Sequence, residues 1–177
     1  MLKLVRLKAE YRPLFEDMME EWLAAGEEII PGAIAKHDYR DFDGYLSKLD
    51  IKEPTPPGLV PDSTFFALDT EQGRFVGAAN IRHRLNDTLL RTGGHIGDGV
   101  RPSERGKGYG TEIVRLALEK CREMGIMQVL MTCDKDNIAS ARTIQKNGGV
   151  LENEIEDRGE IFQRYWISLG GEAAGCE

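Results

Sequence analysis

Three glycines at alternate positions, Gly106, Gly108 and Gly110, lie between an apparent strand ending at Val100 and the strongest amphipathic helix in the chain. No other feature restricts the fold as much. Backbone without Cβ atoms bends tightly and lets another group come close. The next helix presents unsatisfied N–H groups at the positive end of its dipole. The full stretch, Val100-Arg101-Pro102-Ser103-Glu104-Arg105-Gly106-Lys107-Gly108-Tyr109-Gly110-Thr111, adds Arg105 and Lys107 to an otherwise acidic chain. Strand, bend and helix start together form a ready anion site, above all for phosphates. A glycine-rich turn with solvated cations is the plain alternative. Two nucleotide signatures fail. A Walker loop needs G-x-x-x-x-G-K-[ST], whereas Lys107 is followed by Gly108. The dinucleotide pattern G-x-G-x-x-G fails on spacing, and no opening βαβ unit precedes the segment.

The rest of the chain reads as a single α/β domain. Leu2, Leu4, Val5 and Leu7 suggest an opening strand, and Leu14, Phe15, Met18, Met19, Trp22 and Leu23 recur at helical spacing with an acidic outer face. Phe42, Tyr45, Leu46 and Leu49 mark a second helix. Residues 52–63, with Pro54, Pro56, Pro57 and Pro61, predict a long loop. Residues 64–68 and 74–82 predict a hairpin, and 93–100 a further strand. A helix over 111–124 stops at Gly125, a buried strand covers 127–133, and a short helix covers 137–147. A terminal hairpin spans 150–155 and 161–169 around Asp157-Arg158-Gly159. The domain is expected over 1–169, with a frayed tail at 170–177 that leaves Cys176 exposed.

Composition narrows the partners. The 177 residues carry 23 Lys+Arg against 30 Asp+Glu, a net charge of −7, which argues against a nucleic-acid surface. No apolar run reaches the roughly 20 residues of a membrane span, and the charged start is not a signal peptide, so the expectation is a cytoplasmic protein without membrane contact. Cys121, Cys133 and Cys176 form no C-x-x-C pair, and His37, His83 and His95 are scattered, so no metal site is expected. Cys121 and Cys133 read as small core residues.

Arg105-x-x-Gly108-x-Gly110 resembles the acyl-CoA-binding signature of the GNAT N-acetyltransferases, (Gln/Arg)-x-x-Gly-x-(Gly/Ala). The resemblance extends over the preceding strand with Val100-x-Pro102, the strand 128–133, Asn137-x-x-Ser140 and a Lys-x-Gly helix end at Lys146-Asn147-Gly148, roughly residues 74–155. It implies a central mixed, mostly antiparallel sheet of about seven strands flanked by about four helices. It also implies a splay between the strand ending near Val100 and the strand Gln128–Cys133, which admits the pantetheine arm. Acetyl-CoA becomes the expected cosubstrate. On the family pattern its contacts fall at Val100, Arg101, Pro102, Arg105, Gly106, Lys107, Gly108, Tyr109, Gly110, Thr111, Asn137 and Ser140. The Val100 N–H is expected to polarise the thioester carbonyl. Asn137 also suits a helix N-cap, and Lys146 a solvated cation at a helix C-terminus.

The chain departs from the family where many members place a tyrosine that protonates the departing thiolate, because that position is Ile144. Tyr109 and Tyr165 are substitutes without support from spacing. The candidates for general base are Asp98 and His95, on an unusually small and polar strand; a hydrogen-bonded structural histidine is the alternative for His95. Glu27, Glu28, Asp38 and Asp41 flank the N-terminal helices, where they either select a cationic amine or form a solvated face. The implied activity is transfer of acetyl to a primary amine in a ternary complex, with a small-molecule acceptor favoured over a protein. The alternatives are a CoA-binding module without turnover, a different acyl group, or another acceptor class. Members of the family often dimerise, which makes a homodimer a further expectation.

Overall fold

The structure, a computed structural model, describes residues 1–170. Cys176 and nearly all of the expected tail lie outside the described residues. The chain runs β1 (Leu2–Val5), α1 (Arg12–Ala25), α2 (Phe42–Lys48), β2 (Asp62–Asp69), β3 (Arg74–Arg82), β4 (Ile96–Val100), α3 (Tyr109–Glu123), β5 (Gln128–Asp134), α4 (Ile138–Lys146), β6 (Val150–Asp157) and β7 (Glu160–Ser168). The expected α/β layout of seven strands and four main helices is present. The strands form two sheets, ordered β1-β2-β3-β4 and β5-β7-β6, and every pairing within them is antiparallel.

Local chemistry accounts for the element ends. α1 stops at Gly26 in the left-handed region, and Gly125 likewise follows α3. The Asn137 side chain accepts from the Ser140 N–H at 3.1 Å and so caps α4. Arg158 and Gly159, at φ of 53° and 84°, make the two-residue turn between β6 and β7. The strand expected over 93–100 begins only at Ile96. Leu89–Gly93 coil into a π turn instead, and Gly94 takes a φ of +63°. A Cβ at Gly94 would lie 2.5 Å from the Leu130 carbonyl oxygen, so β5 crowds the place where an earlier start of the strand would run.

Two cores cover the two faces of the first sheet. On one face Ile113, Val114, Ala117, Leu118 and Cys121 of α3 pack on Ala79 and Ile81, and the same cluster reaches Val129, Met131 and Cys133 of the second sheet. On the other face the Phe15 ring contacts Tyr39, Phe42, Tyr45 and Phe66, which binds α1 and α2 to the sheet. β3, covered on both sides, is apolar almost throughout.

The second core brings the chain after α1 onto β4. A Cβ at Gly99 would sit 2.2 Å from the Ile30 carbonyl oxygen. Gly99→Ala is therefore expected to cost about 1–3 kcal/mol through forced separation of the two segments, read as a lowered urea midpoint. Gly32→Ala, where a Cβ meets nothing within 4 Å, is expected to stay within about 0.5 kcal/mol of the parent.

Candidate active site

β4 and β5 meet at one end and part at the other. The His95 N–H donates to the Leu130 carbonyl at 2.7 Å, and the Leu130 N–H donates to His95 Nδ1 at 2.9 Å. Beyond this junction no strand ladder joins the two sheets among the described residues. At the open end the Arg101 N–H donates to Val76 of β3 at 2.9 Å. Successive strand residues address opposite neighbours, so the backbone groups of Val100 turn away from β3 into the gap.

A cleft of about 870 Å³ opens beside the end of β4, between the bend and α4. One end is formed by Arg105, Gly106, Gly108, Tyr109, Gly110 and Thr111, together with Asn137, Ser140, Arg142, Thr143 and Lys146 of α4. Gly108 has a φ of +88°, which disfavours any side chain there, and the space beside it is open. Gly110 is close-set differently, with a would-be Cβ 3.7 Å from Val100 and 3.8 Å from Thr143 Oγ1. The first N–H groups of α3 face this end without intrahelical partners. Bend, open space and helix dipole fit a diphosphate. The other end is formed by Glu27, Glu28, Ile30 and Asp98, with Gly99 and Val100 between the two. Glu104 of the bend lines the cleft as well, and Arg105 reaches Glu27, so carboxylates gather on the β4 side while Arg142 and Lys146 stand on α4.

A charge network holds the bend against α1. Arg101 is buried at 1% exposure, and its guanidinium donates to Asp17 Oδ2 and to Glu21 Oε2, each at 2.8 Å, and to the Phe75 carbonyl at 2.9 Å. Ser103 donates its N–H to Glu21 at 2.7 Å. Buried Glu104 accepts from Arg74 at 3.2 Å and from Lys107 at 2.9 Å. Burial would raise the Glu21 carboxyl, but the hydrogen bonds from Arg101 and Ser103 outweigh it and pull it down to about 2. The Arg101 hydrogen bond likewise lowers Asp17.

The residues expected from the motif fall into two groups. Arg101, Pro102 and Lys107 do not line the cleft. Arg101 spends its donors on α1, Pro102 opens a 3-10 turn, and Lys107 neutralises Glu104. Val100, Arg105, Gly106, Gly108, Tyr109, Gly110, Thr111, Asn137 and Ser140 line the cleft together. The Arg105 side chain bends toward the acidic end, 5.0 Å from the Trp22 ring centre and 2.6 Å from Glu27.

Among the candidate catalytic groups, His95 is a structural histidine. Its Nδ1 lone pair is taken by Leu130, and burial with the charge of Arg82 pushes its pKa down to about 4. It does not line the cleft. Asp98 does, half-buried, and loss of solvation pushes its carboxyl up to about 6. The Tyr109 hydroxyl donates to Asp69, and the Tyr165 hydroxyl donates to Gln163 at 2.8 Å, so neither is free as an acid. Ile144 is core. Asp41 caps α2 and Asp38 accepts from the Arg40 N–H, both away from the cleft. Arg142 and Thr143 were not among the sequence candidates, although helical spacing from Asn137 places them one to two turns along the same element.

Removing Arg101 leaves Asp17 and Glu21 with Arg74 as their remaining cation, at 3.4 and 3.5 Å. Arg101→Met is expected to lose about 3 kcal/mol of unfolding free energy, at the lower end for a broken buried pair because Asp17 keeps solvent. A lowered folded-state pKa stabilises above the ordinary carboxylate range and is lost as pH falls. The parent should therefore weaken steadily from its ordinary Glu21 value of 4.5 down to about 2. The variant should show a flatter acid limb in pH-dependent denaturation.

Similarity to known proteins bears on this cleft. Residues 9–150 match the family model described as an acetyltransferase (GNAT) domain. Among solved structures, the ribosomal-protein-S5-alanine acetyltransferase of Vibrio fischeri aligns at TM-score 0.65 and 13% identity over 94% of this chain and 92% of that one. RimL, a ribosomal L7/L12 alpha-N-protein acetyltransferase in complex with coenzyme A, aligns at 0.64 and 13% over 95% and 94%. A spermidine N-acetyltransferase chimera from Vibrio cholerae and the hSSAT protein aligns at 0.61 and 14% over 95% of each chain. At these identities the structures establish a shared fold. No curated protein sequence matches.

Proposed function

This chain belongs to the GNAT acetyltransferase family, and we propose that it transfers the acetyl group of acetyl-CoA to a primary amine of a small-molecule acceptor by direct attack in a ternary complex. One observation carries the reading: a single cleft joins the glycine bend to an acidic end, with the Val100 backbone between them. The diphosphate of acetyl-CoA binds the N–H groups around Gly106–Thr111, and the pantetheine arm enters between β4 and β5. The thioester carbonyl oxygen then accepts from the Val100 N–H as negative charge builds on it.

The acceptor enters from the acidic end, where Glu27, Glu28 and Asp98 favour an ammonium group. Asp98 removes one proton from the ammonium, directly or through water. The neutral nitrogen forms a bond to the acetyl carbon, and the C–S bond breaks. The nitrogen's surplus proton leaves as the amide forms, and the thiolate, with a solution pKa of about 8.5 or above, takes a proton from solvent. Ile144 and the engaged tyrosines leave no side-chain acid for that step. Among the described residues no cluster offers three metal ligands, and the scheme uses none.

Two tests address the two ends. Gly108→Asp places a side chain and a negative charge in the bend, and CoA affinity measured by calorimetry is expected to fall about tenfold to a hundredfold. An unchanged affinity in the folded variant would remove the cradle. For the acidic end, kcat is expected to rise as pH climbs through about 6 and Asp98 deprotonates. Asp98→Asn is expected to lower kcat by about 10²–10⁴ and to abolish that limb. Thiol release from acetyl-CoA across a panel of small amines and peptide N-termini identifies the acceptor. Turnover confined to peptides would overturn the small-molecule assignment.

A further inference from the structure

We infer that Asp69, at the end of β2, is a positioning residue for acetyl transfer: it holds the Tyr109 hydroxyl from behind the glycine bend and so aims the first N–H groups of α3 at the diphosphate. This rests on reading the cleft as the CoA site. Two other helices of the molecule are fastened at their starts by side-chain caps. The Asp41 carboxylate accepts from the Gly44 N–H at α2, and the Asn137 side chain accepts from the Ser140 N–H at α4. α3 begins at Gly108 with no side-chain cap. A cap would occupy the same N–H groups that an anion needs. A helix that presents its N-terminus to a ligand must therefore be fastened by other means.

Tyr109 supplies those means. It is the first residue of α3, between Gly108 and Gly110, which have no side chains with which to fix the turn. Its hydroxyl donates to Asp69 Oδ2 and accepts from Gln72 Nε2 at 2.7 Å. Asp69 is itself held in place. It is buried, its Oδ1 accepts from the N–H groups of Glu71 and Gln72 at 2.9 and 3.2 Å, and its backbone pairs with Leu2 and Arg74. The Tyr109 hydrogen bond leads the contacts that pull the Asp69 carboxyl down to about 2, so at neutral pH the group is an acceptor only. A hydrogen bond to an ionised partner is stronger than one between neutral groups. On the α4 side the Asn147 side chain donates to the Thr111 carbonyl at 3.1 Å. The first turn of α3 is thus gripped from two sides while its N–H groups stay open. Charge alone would give Asp69 the opposite effect, because a carboxylate repels a diphosphate.

The experiment is a calorimetric titration of CoA into the parent, Tyr109→Phe, Asp69→Asn, Asp69→Ala and the double variant Tyr109→Phe with Asp69→Ala. Tyr165→Phe, which loses a hydroxyl bonded to Gln163, is the control for a tyrosine away from the cleft. Tyr109→Phe keeps the ring and its packing, so folding is not at stake there. Tyr109→Phe and Asp69→Ala are each expected to weaken CoA binding about tenfold. The double variant is expected to lose no more than either single one, as befits two groups that act through one bond. Asp69→Asn keeps an oxygen for the Tyr109 hydroxyl and is expected to stay within about threefold of the parent. With an amine that turns over, Tyr109→Phe is expected to raise KM for acetyl-CoA and leave kcat unchanged, a split that loss of folded protein does not produce. Parent affinity in Tyr109→Phe, tighter binding by Asp69→Ala, losses that multiply in the double variant, or an equal loss in Tyr165→Phe would overturn the inference and leave the CoA site intact. Failure of the parent to bind CoA would overturn the reading of the cleft itself, and this inference with it.

Discussion

The cleft depends on two neighbouring strands that, among the described residues, share no ladder and are tied at a single junction. The reciprocal bonds between His95 and Leu130 hold β4 to β5, and past them each strand commits its ladder elsewhere, β4 to β3 and β5 to β7. Backbone groups left without a strand partner carry a cost when buried. At Val100 that unmet capacity faces the cleft, where a ligand amide and a thioester carbonyl can meet it. The same geometry explains why the histidine just before β4 serves the fold: an imidazole that accepts a backbone N–H replaces the ladder bond that the parting strands do not make.

The bend after β4 is held by charge rather than by apolar packing. Arg101 joins it to α1 through Asp17 and Glu21, and Glu104 draws in Arg74 and Lys107. Basic residues of the motif are therefore divided between two tasks. Arg101 and Lys107 hold the loop in shape, while the loop's own N–H groups face the cleft. An anion site built from backbone dipoles needs this external scaffold, because glycine-rich chain has little stiffness of its own.

Much of the architecture was legible in the sequence because it rests on local signals. The apolar face of α3 from Ile113 to Cys121, the Asn137 cap and the β6–β7 turn at Arg158-Gly159 all declare themselves within a few residues. The glycine spacing from Gly106 to Gly110 likewise marks the bend that lines the cleft. The hidden parts depend on contacts far apart in sequence. Arg101 looks like a phosphate ligand until Asp17 and Glu21 arrive from 84 and 80 residues away. His95 looks like a base until Leu130 takes its lone pair. The late start of β4 reflects Leu130 as well, since it crowds Gly94.

The opposed polarity of the cleft also bears on how the product departs. Glu27, Glu28 and Asp98 attract an ammonium ion, and N-acylation erases that positive charge. On the proposed reading, the uncharged amide left beside three carboxylates has lost the attraction that drew its precursor in. The wall that gathers the substrate is thus indifferent to the product, and turnover clears the site without a separate opening movement.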